Sequence, residues 1–202
     1  MQLIHACASP FARKVRVLAS ETGLLPRLDL IDTAVLPVTL NDLVNDNNPL
    51  GKVPVMITDD GQALFDSRVI CEYLDSLHDQ PRLFPAEGPY RWTTLRMAAL
   101  ADGLMEAALL VRYERAVRPG EHQWDAWIEG QTGKIQRAVQ SLEEHASELN
   151  GPLTIAHITV GCALGYLDFR FGDLHWRHNA PKLAQFQEKF AARESMVSSC
   201  PI

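Results

Sequence analysis

Strand-like and helix-like patterning alternate only in the first part of this chain. Beyond a turn-rich stretch from Asp79 to Pro89, which carries three prolines, the pattern is helical to the end. One change of this kind restricts the fold to a mixed α/β half followed by an all-helical half. The break lies near Leu83, so the chain is expected to hold one domain over 1–80, a linker over 81–89 and a second domain over 90–202. With 202 residues, there is enough chain to bury a sizeable core.

Within the first half, QLIHA predicts a brief strand, and Pro10 to Gly23 a helix with proline in its first turn and glycine at its end. LDLID predicts a second strand and Leu40 to Asn47 a short helix. VPVMITDDGQALF reads as two strands joined at Asp60-Gly61, a hairpin dipeptide. Asp66-Ser67 then caps a helix through about Leu77, with Val69, Ile70, Tyr73, Leu74 and Leu77 at helical spacing. The resulting order is βαβαββα. In the second half, helical segments run from Tyr90 to Val117, Glu121 to Glu148, Thr154 to Phe171 and Pro181 to Arg193.

Composition narrows the function classes. Apolar residues make up 47% and charged residues 22%, the profile of a folded globular chain. A net charge of −6 argues against general attraction to nucleic acid or an anionic membrane, and the basic cluster Arg13, Lys14 and Arg16 reads as a solvated helix face. The N-terminus MQLIHACASPF has neither a basic n-region nor a long apolar run, so no signal peptide and a cytoplasmic location are expected. The apolar stretch Leu153 to Phe171 contains His157, Asp168 and Arg170 and reads as a buried core helix. Cys7, Cys71, Cys162 and Cys200 are far apart, with no CxxC pair and no metal-type spacing to histidine. Neither a disulfide framework nor a bound metal is expected.

Five places can carry chemistry. Val53-Pro54 either opens a strand in the ordinary way or, with a cis bond, turns the Val53 N–H and C=O outward to pair with an extended peptide. Asp66-Ser67 is a helix cap whose free N-terminus also attracts a carboxylate, while Asp66 can pair with an ammonium. Ser9 precedes Pro10 and is a natural N-cap; no GxSxG turn makes it a hydrolase nucleophile, so any chemical role is that of a hydrogen-bond donor. Cys7 reads first as a small buried residue ending strand one, with a reactive thiol as the alternative. On the long helix after the linker, Met105, Leu109, Arg112 and Tyr113 share helical spacing, fitting either an apolar pocket or ordinary helix packing.

SPFARKVR after strand one, NPLGKVPV before strand three, FDSRVICEYL opening the third helix and an all-helical half follow one another in order. In these motifs the chain resembles the glutathione S-transferase superfamily along essentially its whole length, and LADGLMEAALLVRYERAVRP and LTIAHITVGCALGYLDFRF look like second-domain segments of a bacterial subgroup. The resemblance implies a thioredoxin-like N-terminal domain that binds glutathione as substrate, an all-α C-terminal domain, no tightly bound cofactor, and a homodimer. It implies that Val53 before Pro54 pairs with the cysteinyl unit, that Asp66 and Ser67 hold the γ-glutamyl end, and that Lys52 lies near the glycyl carboxylate. Ser9 falls where thiol-type members carry cysteine before Pro-Phe, and serine there implies activation of the glutathione thiol.

The implied activity is attack of that thiolate on a small electrophilic or hydrophobic co-substrate, a detoxifying transferase reaction. A non-catalytic regulatory or protein-binding module is the rival, and a glutathione-dependent peroxidase or disulfide reductase a third reading. The energetics suffice for the first: lowering a thiol pKa by ~2 units takes about 2.7 kcal/mol. A hydrogen bond to a charged group supplies on the order of 1.5–3 kcal/mol and a helix N-terminus ~0.3–1 kcal/mol.

One departure from the family pattern is chemical. Thr154-Ile155-Ala156-His157 stands where the family commonly has Ser/Thr-x-x-Asp, a capping box. Histidine can accept there only while neutral, which predicts a depressed pKa for His157.

Overall fold

The computed structural model describes residues 1–201. The chain forms two compact units, one of residues 1–86 together with the tail from Glu194 onward, the other Glu87–Arg193. In the first unit the elements run β1 (Gln2–His5), α1 (Pro10–Glu21), β2 (Asp29–Asp32), α2 (Asp42–Asn45), β3 (Val55–Ile57), β4 (Ala63–Leu64) and α3 (Ser67–Asp75), the βαβαββα order expected of the thioredoxin-like half. The second unit holds α4 (Gly88–Ala116), α5 (Asp125–Glu144), α6 (Ile155–Arg170), α7 (Trp176–Asn179) and α8 (Pro181–Ala191). The last helix, α9 (Glu194–Ser198), is in the tail.

The sheet order is β2-β1-β3-β4, with β1 parallel to β2 and antiparallel to β3, and β4 antiparallel to β3. Leu3 pairs with Met56 and Ile4 with Val55, so alternate side chains feed both faces. Ile4, Val44 and Val55 form one fully buried cluster. Val15, Leu18, Ile70 and Leu74, from the packed helices α1 and α3, are likewise fully buried. α1 ends in a Schellman arrangement: Leu24 N–H donates to the Ala19 carbonyl at 2.7 Å and Gly23 N–H to Ser20 at 3.1 Å. The φ of +72° at position 23 is why glycine stands there.

Asp75, at the end of α3, is buried and organises the turn-rich stretch. Its carboxylate accepts the N–H of Leu83 at 2.8 Å and of Phe84 at 3.1 Å, and His78 Nε2 at 3.0 Å. His78 Nδ1 accepts from the Gln80 N–H, which places the ring hydrogen on Nε2 and makes the contact with Asp75 a hydrogen bond.

The basic cluster is corrected by the structure. Arg13 and Lys14 are buried, and only Arg16 is half-buried. Arg13 donates to the Met196 carbonyl at 2.8 Å and to Ser199 Oγ at 3.3 Å, and Arg16 to the Ser198 carbonyl at 3.4 Å. Carbonyls at a helix C-terminus are short of donors and carry partial negative charge, so two guanidinium groups of α1 anchor α9. The tail, assigned from sequence to the helical half, accordingly packs with the first unit.

In the second unit α4 packs against α5 and α6. The apolar stretch around α6 is the core helix expected of it, buried from Ile155 through Leu164. Among the described residues no helix is long and apolar enough to cross a membrane.

Candidate functional site

Topology collects the sequence-predicted groups of the first unit at one end of its sheet. The C-terminal end of β1 leads to Ser9, the neighbouring N-terminal end of β3 follows Val53-Pro54, and the C-terminal end of β4 leads to Asp66. No single sequence motif contains this arrangement; the two antiparallel pairings produce it.

Ser9 is the N-cap of α1. Its φ of −77° and ψ of 120° are extended, as a following proline demands, and its Oγ accepts the Ala12 N–H at 3.3 Å. Capping uses a lone pair. Among the described residues no acceptor takes the hydroxyl hydrogen, which leaves it available to a ligand at the half-buried N-terminus.

The Val53-Pro54 bond is cis. The Val53 N–H and C=O have no hydrogen-bond partner among the described residues, so an extended ligand can meet both a donor and an acceptor there. Buried Asn48, which sequence reasoning missed, holds this loop: its Nδ2 donates to the Lys52 carbonyl at 2.8 Å and its Oδ1 accepts the Leu50 N–H at 3.1 Å. Asparagine three residues before Gly51 was the available signal, since such side chains often close turns onto their own backbone. The Lys52 side chain is exposed.

Asp66 caps α3, accepting the Arg68 N–H at 2.9 Å, and is exposed; Ser67, the first residue of the helix, is buried. Among the described residues the second carboxylate oxygen of Asp66 and the N–H groups of Ser67 and Val69 have no partner, which leaves them for a zwitterionic ligand end.

Just past β1, Cys7 is half-buried, and burial first, then a hydrogen bond to Asp32 and the charge of that carboxylate, push its thiol pKa up. A thiol held protonated is a poor nucleophile, which favours Ser9 over Cys7 as the working group. Burial, then the charge of Arg16, hold His5 below the ordinary histidine value against the opposing pull of Asp32. The 3.8 Å approach of His5 Nδ1 to Asp32 Oδ1 is therefore that of a neutral ring, and not an ion pair.

The four residues at helical spacing on α4, which could line a co-substrate pocket, differ in accessibility. On α4, Met105 is fully buried in helix packing, Leu109 and Tyr113 are half-buried and Arg112 is exposed. Sequence spacing placed them on one side of α4 but gave no measure of how deeply each is buried. Tyr166 of α6, missed from sequence, is buried, and burial pushes its hydroxyl pKa up, with smaller influences from Arg170, Tyr113 and Arg112.

The family described as "Glutathione S-transferase, N-terminal domain" matches residues 8–77, and "Glutathione S-transferase, C-terminal domain" matches residues 125–186. The uncharacterized GST-like protein YibF of Escherichia coli (strain K12) is 33% identical over 204 residues, covering 100% of this chain and 98% of that protein. A glutathione transferase family member from Pseudomonas fluorescens Pf-5, solved with bound glutathione, is 48% identical with a TM-score of 0.98, covering 100% of this chain and 98% of that one. Another structure from the same source, with bound S-(propanoic acid)-glutathione, is 47% identical with a TM-score of 0.93 and covers all of both chains. Both halves match in order and relatives align over the full length, so the chain belongs to the glutathione S-transferase family.

Proposed function

We propose that the chain binds glutathione at the sheet end that gathers Ser9, Val53 and Asp66, and activates its thiol for attack on a small electrophile. The observation that carries this reading is the unpaired Val53 backbone, flanked by two helix N-termini that keep unused hydrogen-bonding capacity. Val53 N–H and C=O pair with the cysteinyl unit; Asp66 takes the γ-glutamyl ammonium while Ser67 and the α3 N-terminus take its carboxylate; Lys52 serves the glycyl carboxylate. The Ser9 hydroxyl then donates to the sulfur, stabilising the thiolate over the thiol.

The Pseudomonas fluorescens relative with S-(propanoic acid)-glutathione supports a conjugating reaction, because that ligand is glutathione carrying an alkyl group on sulfur. In such a reaction the thiol proton leaves, the thiolate electron pair forms the new S–C bond, and the electrophile accepts the displaced pair. Leu109, Arg112 and Tyr113 of α4 remain the co-substrate candidates. Homodimerisation and a detoxifying role rest on family resemblance.

Isothermal titration with glutathione, then turnover with a panel of electrophiles, peroxides and disulfides, tests the reading. Asp66→Asn is expected to weaken glutathione by roughly 10–150-fold, the range for a lost hydrogen bond between charged groups. Ser9→Ala should bind nearly as well yet lose most turnover. No binding at millimolar glutathione would favour the interaction module; full turnover in Ser9→Ala would remove serine from the mechanism.

A further inference from the structure

Beyond the glutathione reading, the same sheet end holds three metal-ligating side chains that the proposed reaction does not use. Parallel pairing of β1 and β2 sets His5 opposite Asp32, and Cys7 follows two residues after His5. One donor atom from each of His5, Cys7 and Asp32 lies within 4.8 Å of the others. His5 is 3% exposed, and its Nδ1 has no hydrogen-bond partner. A buried ring nitrogen left without a partner is unfavourable, and this one lies 3.8 Å from the Asp32 carboxylate, beyond hydrogen-bond reach.

We propose that His5, Cys7 and Asp32 form a binding site for a divalent transition-metal ion of the zinc type. The donor set is one imidazole nitrogen, one thiolate and one carboxylate oxygen, a mixture that suits a borderline-soft cation and not calcium or magnesium. Bonds of about 2.0–2.3 Å at tetrahedral angles place donors roughly 3.3–3.6 Å apart, so the triangle must close by about 1 Å. The two partly exposed members, Cys7 and Asp32, can rotate to do so while His5 is held by the core. Binding forms three metal–ligand bonds and sends the Cys7 thiol proton to solvent. Solvent or a small anionic ligand fills the fourth position, since Asp32 lies 63% exposed.

Sequence spacing missed the site because Asp32 joins it only through the β1–β2 register. The test is a Co²⁺ titration of the full chain, free of any affinity tag and reduced with a phosphine. A thiolate-to-cobalt charge-transfer band is expected, saturating at one equivalent and displaced by Zn²⁺. Cys7→Ser should abolish the band, and Cys200→Ser, at an exposed position, should leave it unchanged. Outer-shell partners alone account for roughly 10–100-fold in metal affinity, so Asp32→Asn should weaken Co²⁺ by at least about tenfold. Circular dichroism of each variant confirms that it is folded. No band in the wild type, a band that survives Cys7→Ser, a band lost in Cys200→Ser, or an unchanged affinity in Asp32→Asn each overturns the proposal. Glutathione titration of Cys7→Ser separates the two readings, because it should still bind glutathione.

Discussion

His157 shows how one side-chain exchange changes what a cap can withstand. Its Nδ1 accepts the Thr154 N–H at 3.1 Å, the return contact of a capping box, while Nε2–H donates to the Leu149 carbonyl at 3.2 Å. Both bonds are satisfied only by the neutral ring. Burial first, then the charge of Arg193, hold the His157 pKa below the ordinary ~6.5, outweighing the opposing Leu149 hydrogen bond. Between the lowered folded value and the unfolded one the folded state binds fewer protons than the unfolded state, so stability from neutral His157 is complete above the unfolded value and is lost progressively as pH falls from there through the folded value. Urea unfolding at about pH 7.5 and pH 5.5 should show a larger drop in midpoint for the wild type than for His157→Asp. Equal drops would remove His157 as the source. At about pH 7.5 the aspartate variant should be the less stable, because it leaves the Leu149 carbonyl without its donor.

At the scale of an element, α6 is sensitive to a small change at Gly161. A Cβ at Gly161 would lie 2.3 Å from Phe190 Cδ1 and 2.5 Å from Cε1, so the contact between α6 and α8 needs a residue without a side chain. Gly161→Ala is expected to cost about 1–3 kcal/mol through overpacking despite alanine's better helix propensity, read as a lowered urea midpoint. A neutral or stabilising result would mean that the Phe190 ring moves away freely. The elements themselves were legible in the sequence. Short apolar runs, Pro10 and Gly23 around α1, and Asp66 before α3 are local signals, and each acts within a turn or two of its own position. At Val53-Pro54 the sequence left open whether proline opens a strand in the ordinary way or through a cis bond. What escaped was set by distant chain. The burial of Arg13 goes with its contact to Ser199, and the His5 environment depends on Asp32. Asn48 escaped because an asparagine in a loop is common, and only its double hydrogen bond to Leu50 and Lys52 reveals its role.

For the molecule as a whole, the return of the tail to the first unit is the main departure from a simple division into two consecutive halves. Arg13 satisfies the end of α9, Ser199 Oγ donates to the Ser195 carbonyl at 2.6 Å, and Ser195 hydrogen-bonds Glu21. Met196 is buried as well. Arg13→Ala removes a charged donor from a buried carbonyl and is expected to cost on the order of 1.5–3 kcal/mol. Limited proteolysis should then release the tail earlier than in the wild type, and identical cleavage kinetics would contradict the anchoring role. The arrangement also orders the chain's birth: the ribosome makes β1 and α1 first and α9 last, with Glu87–Arg193 in between. While the helical unit is still being translated, the buried guanidinium of α1 lacks its acceptors. The first unit to emerge is therefore the last to be completed.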